Sequence, residues 1–187
     1  MRSTNEDIID TLLAQHQQIK VLFAQVDSAT GEHKERLFEE LVGLLAIHES
    51  VEETVVHPLA EHELADGDAV VSPRLAEEQD AKAELARLYD VGVHAPEFRA
   101  GLADLRDAVQ AHAEAEETLE FIRLREVVDP EKLTRLAEAL RMAAALSPTR
   151  PHPGLPPGPG ANLLMGPPLA VFDRVRDAVR DALRESA

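Results

Sequence analysis

The chain has 187 residues, a size that suits one domain with its own core, and its 44% hydrophobic content is too high for a chain disordered throughout. A formal net charge of −16 sets aside nucleic acid and anionic membrane surfaces as partners. The absence of cysteine excludes disulfides, thiolate zinc sites and iron–sulfur clusters, so any metal must be held by histidine and carboxylate, which suit iron, manganese or zinc.

The opening MRSTNEDIID is no signal peptide, and no apolar run approaches the length of a membrane span, so a cytoplasmic location is expected. Alanine, leucine, glutamate and arginine dominate, which favours helix, and no stretch alternates at period two. Ser3 and Glu6 have capping-box spacing and predict a first helix from there to about Gly31, with Ile9, Leu12, His16, Ile19, Phe23 and Val26 on one stripe. A second helix is expected from about His33 to about Glu63, kinked or ended at Pro58; its stripe carries Leu37, Leu41, Leu45, His48, Glu52, Val55 and Leu59. ADGDAVV reads as a loop, and Ser72-Pro73 as the cap and first turn of a third helix. That helix presents Val71, Leu75, Glu78, Lys82, Leu85 and Leu88/Tyr89, with Gln79 rotated from the stripe by about 100°. Pro96 opens a fourth helix bearing Phe98, Leu102, Leu105, Val109, His112, Glu116 and Leu119, and Asp129-Pro130 opens a fifth that ends before Pro148.

Long helices with short connections predict an all-α fold, an up-down-up-down four-helix bundle over residues 1–128. Residues 129–187 form a C-terminal extension. It holds the fifth helix, the Pro/Gly-rich SPTRPHPGLPPGPGANLLMGPPL, and a final amphipathic helix with Phe172, Val175, Val179 and Leu183 on one face. The extension is expected to pack on the bundle or on a dimer partner, and a monomer and a homodimer both fit.

The chemistry lies on the stripes. His48 and Glu52 in HESVE, and His112 and Glu116 in HAEAE, repeat one i, i+4 spacing on two apolar faces. One such pair arises readily by chance in a Glu-rich helix, and a lone stripe histidine such as His16 is more often a hydrogen-bonded core residue. Two pairs with His16 and Glu78 are a different matter, because burying several unpaired carboxylates costs several kcal/mol each. Two divalent cations would neutralise those carboxylates and take neutral imidazoles as ligands. Mutual pairing of the histidines and glutamates in a metal-free bundle is the competing explanation, and a third is a sensory or interaction module that uses metal only as structural glue. There is no HExxH, and no glutamate three residues before a histidine, so zincin and ferritin-like patterns are absent. His57 lies nine residues beyond His48, the opposite side of an ideal helix, unless a kink or π-bulge near Pro58 swings it inward. Lys82 sits one turn from Glu78, either as its partner or reaching to solvent. Tyr89 reads as core packing, and His33, His62, His94 and His152 as non-ligands.

This set of residues resembles the hemerythrin-like (HHE cation-binding) domain family, over roughly residues 5–125. The family pattern is a His on the first helix, HxxxE on the second, a His on the third and HxxxE on the fourth, which corresponds here to His16, His48 with Glu52, and His112 with Glu116. The resemblance implies a non-haem centre of two iron ions that handles or senses dioxygen, peroxide or nitric oxide; peroxide disproportionation is one activity such a centre would allow. On the third helix the chain departs from the pattern. Gln79 stands where the family commonly has histidine, leaving Glu78 as the replacement ligand or else an open coordination position. A second departure puts His57-Pro58 where relatives often carry Tyr-Pro or Phe-Pro.

Overall fold

A computed structural model describes residues 6–146 and Asp177. Ser3, His152, the Pro/Gly-rich segment and the apolar face expected for the last helix lie outside the described residues. Among those described there is no strand. The helices are α1 (Ile8–Ser28), α2 (Gly31–Val51), α3 (His57–Glu63), α4 (Gly67–Val91), α5 (Phe98–Glu116), α6 (Ile122–Val127) and α7 (Pro130–Leu146). A π-helical turn, Glu52–Val56, joins α2 to α3, and a second, Glu117–Phe121, joins α5 to α6, so each pair forms one continuous rod. The four rods pack in a ring, α1 on α2, α3 on α4, α4 on α5 and α5 on α1, with short connections that reverse the chain each time.

Several starts differ from those the sequence suggested. α1 begins at Ile8, because Asp7 and Asp10 form a reciprocal capping box of 2.8 and 3.2 Å, which Arg125 clamps from α6. Gly31 opens α2 and does not end α1; its φ of +57° lies in the left-handed region and lets the chain turn with only Ala29 and Thr30 between the two helices. α4 begins at Gly67, so ADGDAVV is mostly helix and Pro73 lies inside it. The Asp66 carbonyl accepts from Ala69 and Val70 and starts the helix early, and Gly67 sits where a Cβ would meet the backbone of Ala60 and Glu61. Packing against α3 thus outweighs the one ladder bond that Pro73 cannot donate.

Two apolar layers are built from the stripes. One gathers Ile9, Leu12, Val56, Leu59, Phe121 and Leu124; the other gathers Phe23, Phe38, Leu41, Leu85, Leu88 and Phe98. In the second, Phe38 and Phe98 meet edge to face at 5.0 Å. Between them in sequence, each of the four rods carries buried ionisable side chains: His16, His48 with Glu52, Glu78, and His112 with Glu116. α7 packs across α1 through buried Leu133 and Ala137, so the described part of the C-terminal extension rests on the bundle. Leu75, Tyr89 and Leu119, expected inside, are 39%, 37% and 55% exposed. No described helix is long and apolar enough to cross a membrane.

Candidate metal centre

The two π turns decide which side chains reach the middle layer. A π turn holds one residue more than regular helix, which sets everything after it back by about 100°. In the second rod the His57 amide donates to the Glu52 carbonyl, the five-residue step of a π turn. Pro58 has no N–H to give Thr54, and the Ser50 and Thr54 hydroxyls bond back to the Ala46 and Ser50 carbonyls, so the regular ladder is already weakened there. His57 consequently leaves the far side of the rod and is 1% exposed in the core. In the fourth rod the same device turns Glu120 and Phe121 inward and Leu119 out.

His16, His48, Glu52, His57, Glu78, His112 and Glu116 are all buried and converge. Their ligand atoms form two overlapping sets: His16, His48, Glu52 and Glu116 in one, and Glu52, Glu78, His112 and Glu116 in the other, each set spanning at most 4.8 Å. Glu52 and Glu116 belong to both. The Nε2 atoms of His48 and His16 lie 3.1 and 4.0 Å from Glu52 Oε1, and those of His16 and His112 lie 3.3 and 3.2 Å from the two oxygens of Glu116. His57 Nε2 is 2.7 Å from Glu78 Oε1 and 3.9 Å from Glu116 Oε1, and it forms a third set with Glu116 and Glu120. Lys82 lies within 3.6 Å of Glu78 and 3.3 Å of Glu49, and it also pairs with Glu53. Gln79 is exposed on α4. His33, His62 and His94 are exposed and lie apart from the centre.

Each histidine is oriented from behind. Nδ1 of His16 faces Glu117 at 2.8 Å, that of His48 faces Gln15 at 2.9 Å, that of His57 faces Glu120 at 3.0 Å, and that of His112 faces Glu77 at 3.0 Å. An oxygen acceptor at Nδ1 holds the proton there and leaves the Nε2 lone pair for the centre. Arg74 in turn fixes Glu77 at 2.6 Å. The sequence reading missed Gln15, Glu77, Glu117, Glu120 and the buried Glu49. Gln15, Glu77 and Glu117 are chain neighbours of His16, Glu78 and Glu116, which puts them on the flank of a stripe, and that adjacency was the available signal.

The electrostatics are those of crowded, half-compensated charge. Burial, then the neighbouring charge of His16, pushes the His48 pKa down to about 3. Burial and the carboxylates of Glu116 and Glu78 hold Glu52 well above the usual carboxylate range. Burial opposes charge on His57 and His112, but Glu120 and Glu78 raise the first to about 10 and Glu116 and Glu77 raise the second to about 9. The residues fit divalent cations on the evidence of their own atoms. Both oxygens of Glu52 and of Glu116, Glu78 Oε2, and Nε2 of His16 and His112 are buried without an aligned hydrogen-bond partner. Unsatisfied oxygens and imidazole nitrogens of this kind are the donor set of iron, manganese or zinc.

A family model described as the hemerythrin HHE cation binding domain matches residues 7–124. Among solved structures, the chain is similar to a hemerythrin HHE cation binding domain-containing protein from Mycobacterium kansasii, with a TM-score of 0.67 and 21% identity, covering 95% of this chain and 99% of that one. At that identity the likeness speaks for the fold. Among curated proteins, it is 25% identical over 139 residues to one named DNA nickase from Nostoc sp. (strain PCC 7120 / SAG 25.82 / UTEX 2576). The alignment takes in 73% of this chain but spans only 39% of that protein's length.

Proposed function

The chain belongs to the hemerythrin HHE cation-binding domain family, and we propose that it is a non-haem di-iron protein that handles or senses dioxygen, peroxide or nitric oxide. His16, His48, Glu52, His57, Glu78, His112 and Glu116 would hold the ions, Glu52 and Glu116 being common to both ligand sets. The observation that carries this reading is the sharing of Glu52 and Glu116 by two ligand sets whose histidines are held at Nδ1 by oxygen acceptors. When bound, the ion pair supplies Lewis acidity and electrons to a small oxygen- or nitrogen-containing ligand. The chain's own contribution is to fix the imidazoles, to hold Glu52 and Glu116 clear of water, and to keep Glu78 between His57 and Lys82. Manganese or zinc would find the same donors. Glu78 and His57 stand in for the missing histidine of the third helix.

A second reading, a sensory or interaction bundle without redox chemistry, is favoured by the direct His57–Glu78 contact of 2.7 Å and the pairing of Lys82 with three carboxylates. Peroxide separates the two: a redox centre changes its absorption spectrum and evolves oxygen on addition of peroxide, and a structural site does neither. The nickase name is not carried over, because a chain of net charge −16 repels a phosphate backbone. A cytoplasmic monomer or homodimer completes the proposal.

A further inference from the structure

The donor atoms of the centre lie between two apolar layers, and a divalent cation would have to shed its water to cross either of them, at a cost neither layer returns. Between α4 and α5 the enclosure is broken. A cavity of about 240 Å³ leads from the buried His16, His48, Glu78 and His112 out to Glu77 and Asp80 on α4 and Ala108 and Ala111 on α5, and these last four are exposed. The inner end of this space is the centre itself, but its mouth belongs to none of the ligand sets. Three features of the mouth suit a passing cation. It is acidic: Glu77 and Asp80 stand one turn apart along it, and among the described lining residues there is no lysine or arginine. It is wide: the short side chains of Ala108 and Ala111, one turn apart on the facing helix, leave room for an ion that still carries several waters, each of which takes about 30 Å³ of liquid. It also leads to unsatisfied donors, since Nε2 of His16 and of His112 and Oε2 of Glu78 are buried on the same cavity without an aligned hydrogen-bond partner. A cation entering at Asp80 meets carboxylate before imidazole and can exchange its waters one at a time.

We propose that this mouth is the route by which divalent cations reach the centre, and that Asp80 and Glu77 draw them in without being ligands of the bound ions. The proposal rests on the centre taking divalent cations, and on no redox chemistry. Steering of this kind raises the rate of arrival, weakens with salt and leaves the final occupancy unchanged. Glu77 is already paired with Arg74 and His112, so its loss would also disturb an imidazole, and Asp80 is the carboxylate to vary. The test is uptake of cobalt(II) by the chelator-treated full chain, followed by visible absorption after rapid mixing at low and at high salt. Three variants are compared with the unaltered chain: Asp80→Lys, Ala111→Leu and Glu32→Lys. The last makes the same change of charge at an exposed position about 24 Å along α2 from His48. Asp80→Lys is expected to take up cobalt about tenfold more slowly at low salt, with the difference shrinking at high salt. Ala111→Leu narrows the mouth and should slow uptake and chelator-driven release by a similar factor at either salt. Glu32→Lys should stay close to the unaltered rate, and all four proteins should reach the same final cobalt content. Asp80→Lys slowed no more than Glu32→Lys, or Ala111→Leu exchanging at the unaltered rate, would overturn the proposal. A lower final content in well-folded Asp80→Lys would overturn it too, because Asp80 would then be a ligand. The salt dependence of the unaltered chain needs no substitution, and an uptake rate indifferent to salt would equally overturn steering. Absence of uptake by the unaltered chain would refute the cation centre itself, whereas uptake at rates that ignore these changes refutes the entry route alone.

Discussion

Glu78 is the residue on which the departure from the family pattern turns. Its Oε1 touches His57 and its Oε2 faces Lys82, whereas its chain neighbour Gln79 faces solvent. Glu78→Ala is therefore expected to lower the metal content from about two ions per chain towards one, and Gln79→Ala to leave it unchanged. Metal analysis of the two variants checks this, and equal loss in both would be inconsistent with Glu78 as a ligand. Gln15 tests the oriented imidazoles. It touches only the outer nitrogen of His48, and removing such a partner typically weakens metal binding by about 10–100-fold. Competition with a chelator should show that loss in Gln15→Ala with the fold intact. Protonation supplies a further prediction. Without metal, His57 and His112 are raised to about 10 and about 9, above the ordinary histidine value, so both carry protons at neutral pH in the folded protein. Those protons stabilise the metal-free fold below the unfolded pKa of about 6.5, and that stabilisation fades as pH rises through 9 to 10. An ion taking Nε2 must displace them, so metal uptake should release protons and tighten with rising pH. Loading in weakly buffered indicator solution reads the release directly; uptake without acidification would count against His57 and His112 as ligands.

At the scale of the helices, the two π turns carry the difference between the pattern in the sequence and the site in the fold. Helix faces were legible wherever the 3.6-residue period runs undisturbed: the stripes through His16, His48 and Glu52, and His112 and Glu116 all point inward as their spacing requires. Past Glu116 the same arithmetic placed Leu119 in the core, and one inserted residue puts Glu120 and Phe121 there instead. No composition signal marks that second π turn, whereas Pro58 and the two back-bonded hydroxyls mark the first. The starts of α1 and α4 were misplaced for a related reason. Asp7 with Asp10 competes with Ser3 and Glu6 as a cap, and contact with α3 draws Gly67 to Ser72 into helix ahead of Pro73. The π register makes a direct prediction. Leu119→Gln should change stability by no more than about 0.5 kcal/mol, because the side chain is already in water, whereas Phe121→Ala should cost about 3–5 kcal/mol. Urea unfolding of both variants decides it. If Leu119→Gln proves the more damaging, the fourth rod is a regular helix and Glu120 is not in the core.

Taken as a whole, the molecule is two apolar layers with a charged layer between them, and its stability is tied to what neutralises that layer. Glu49, Glu52, Glu78, Glu116 and Glu120 are buried together, and burial pushes Glu49, Glu52 and Glu78 above the usual carboxylate range. A ligand that binds only the folded state adds about 2.7 kcal/mol when present at a hundredfold excess over its dissociation constant. The metal-loaded protein should therefore unfold at a distinctly higher temperature than the chelator-treated one. Identical melting curves would favour a bundle whose histidines and glutamates compensate one another. The most direct test of the central claim is metal analysis of protein purified in air, together with its absorption spectrum, on the unaltered chain and on His112→Ala. The account predicts about two iron ions per chain and near-ultraviolet oxo-bridge bands that disappear in His112→Ala. Protein that takes up no metal, even after anaerobic reconstitution with ferrous iron, would contradict it.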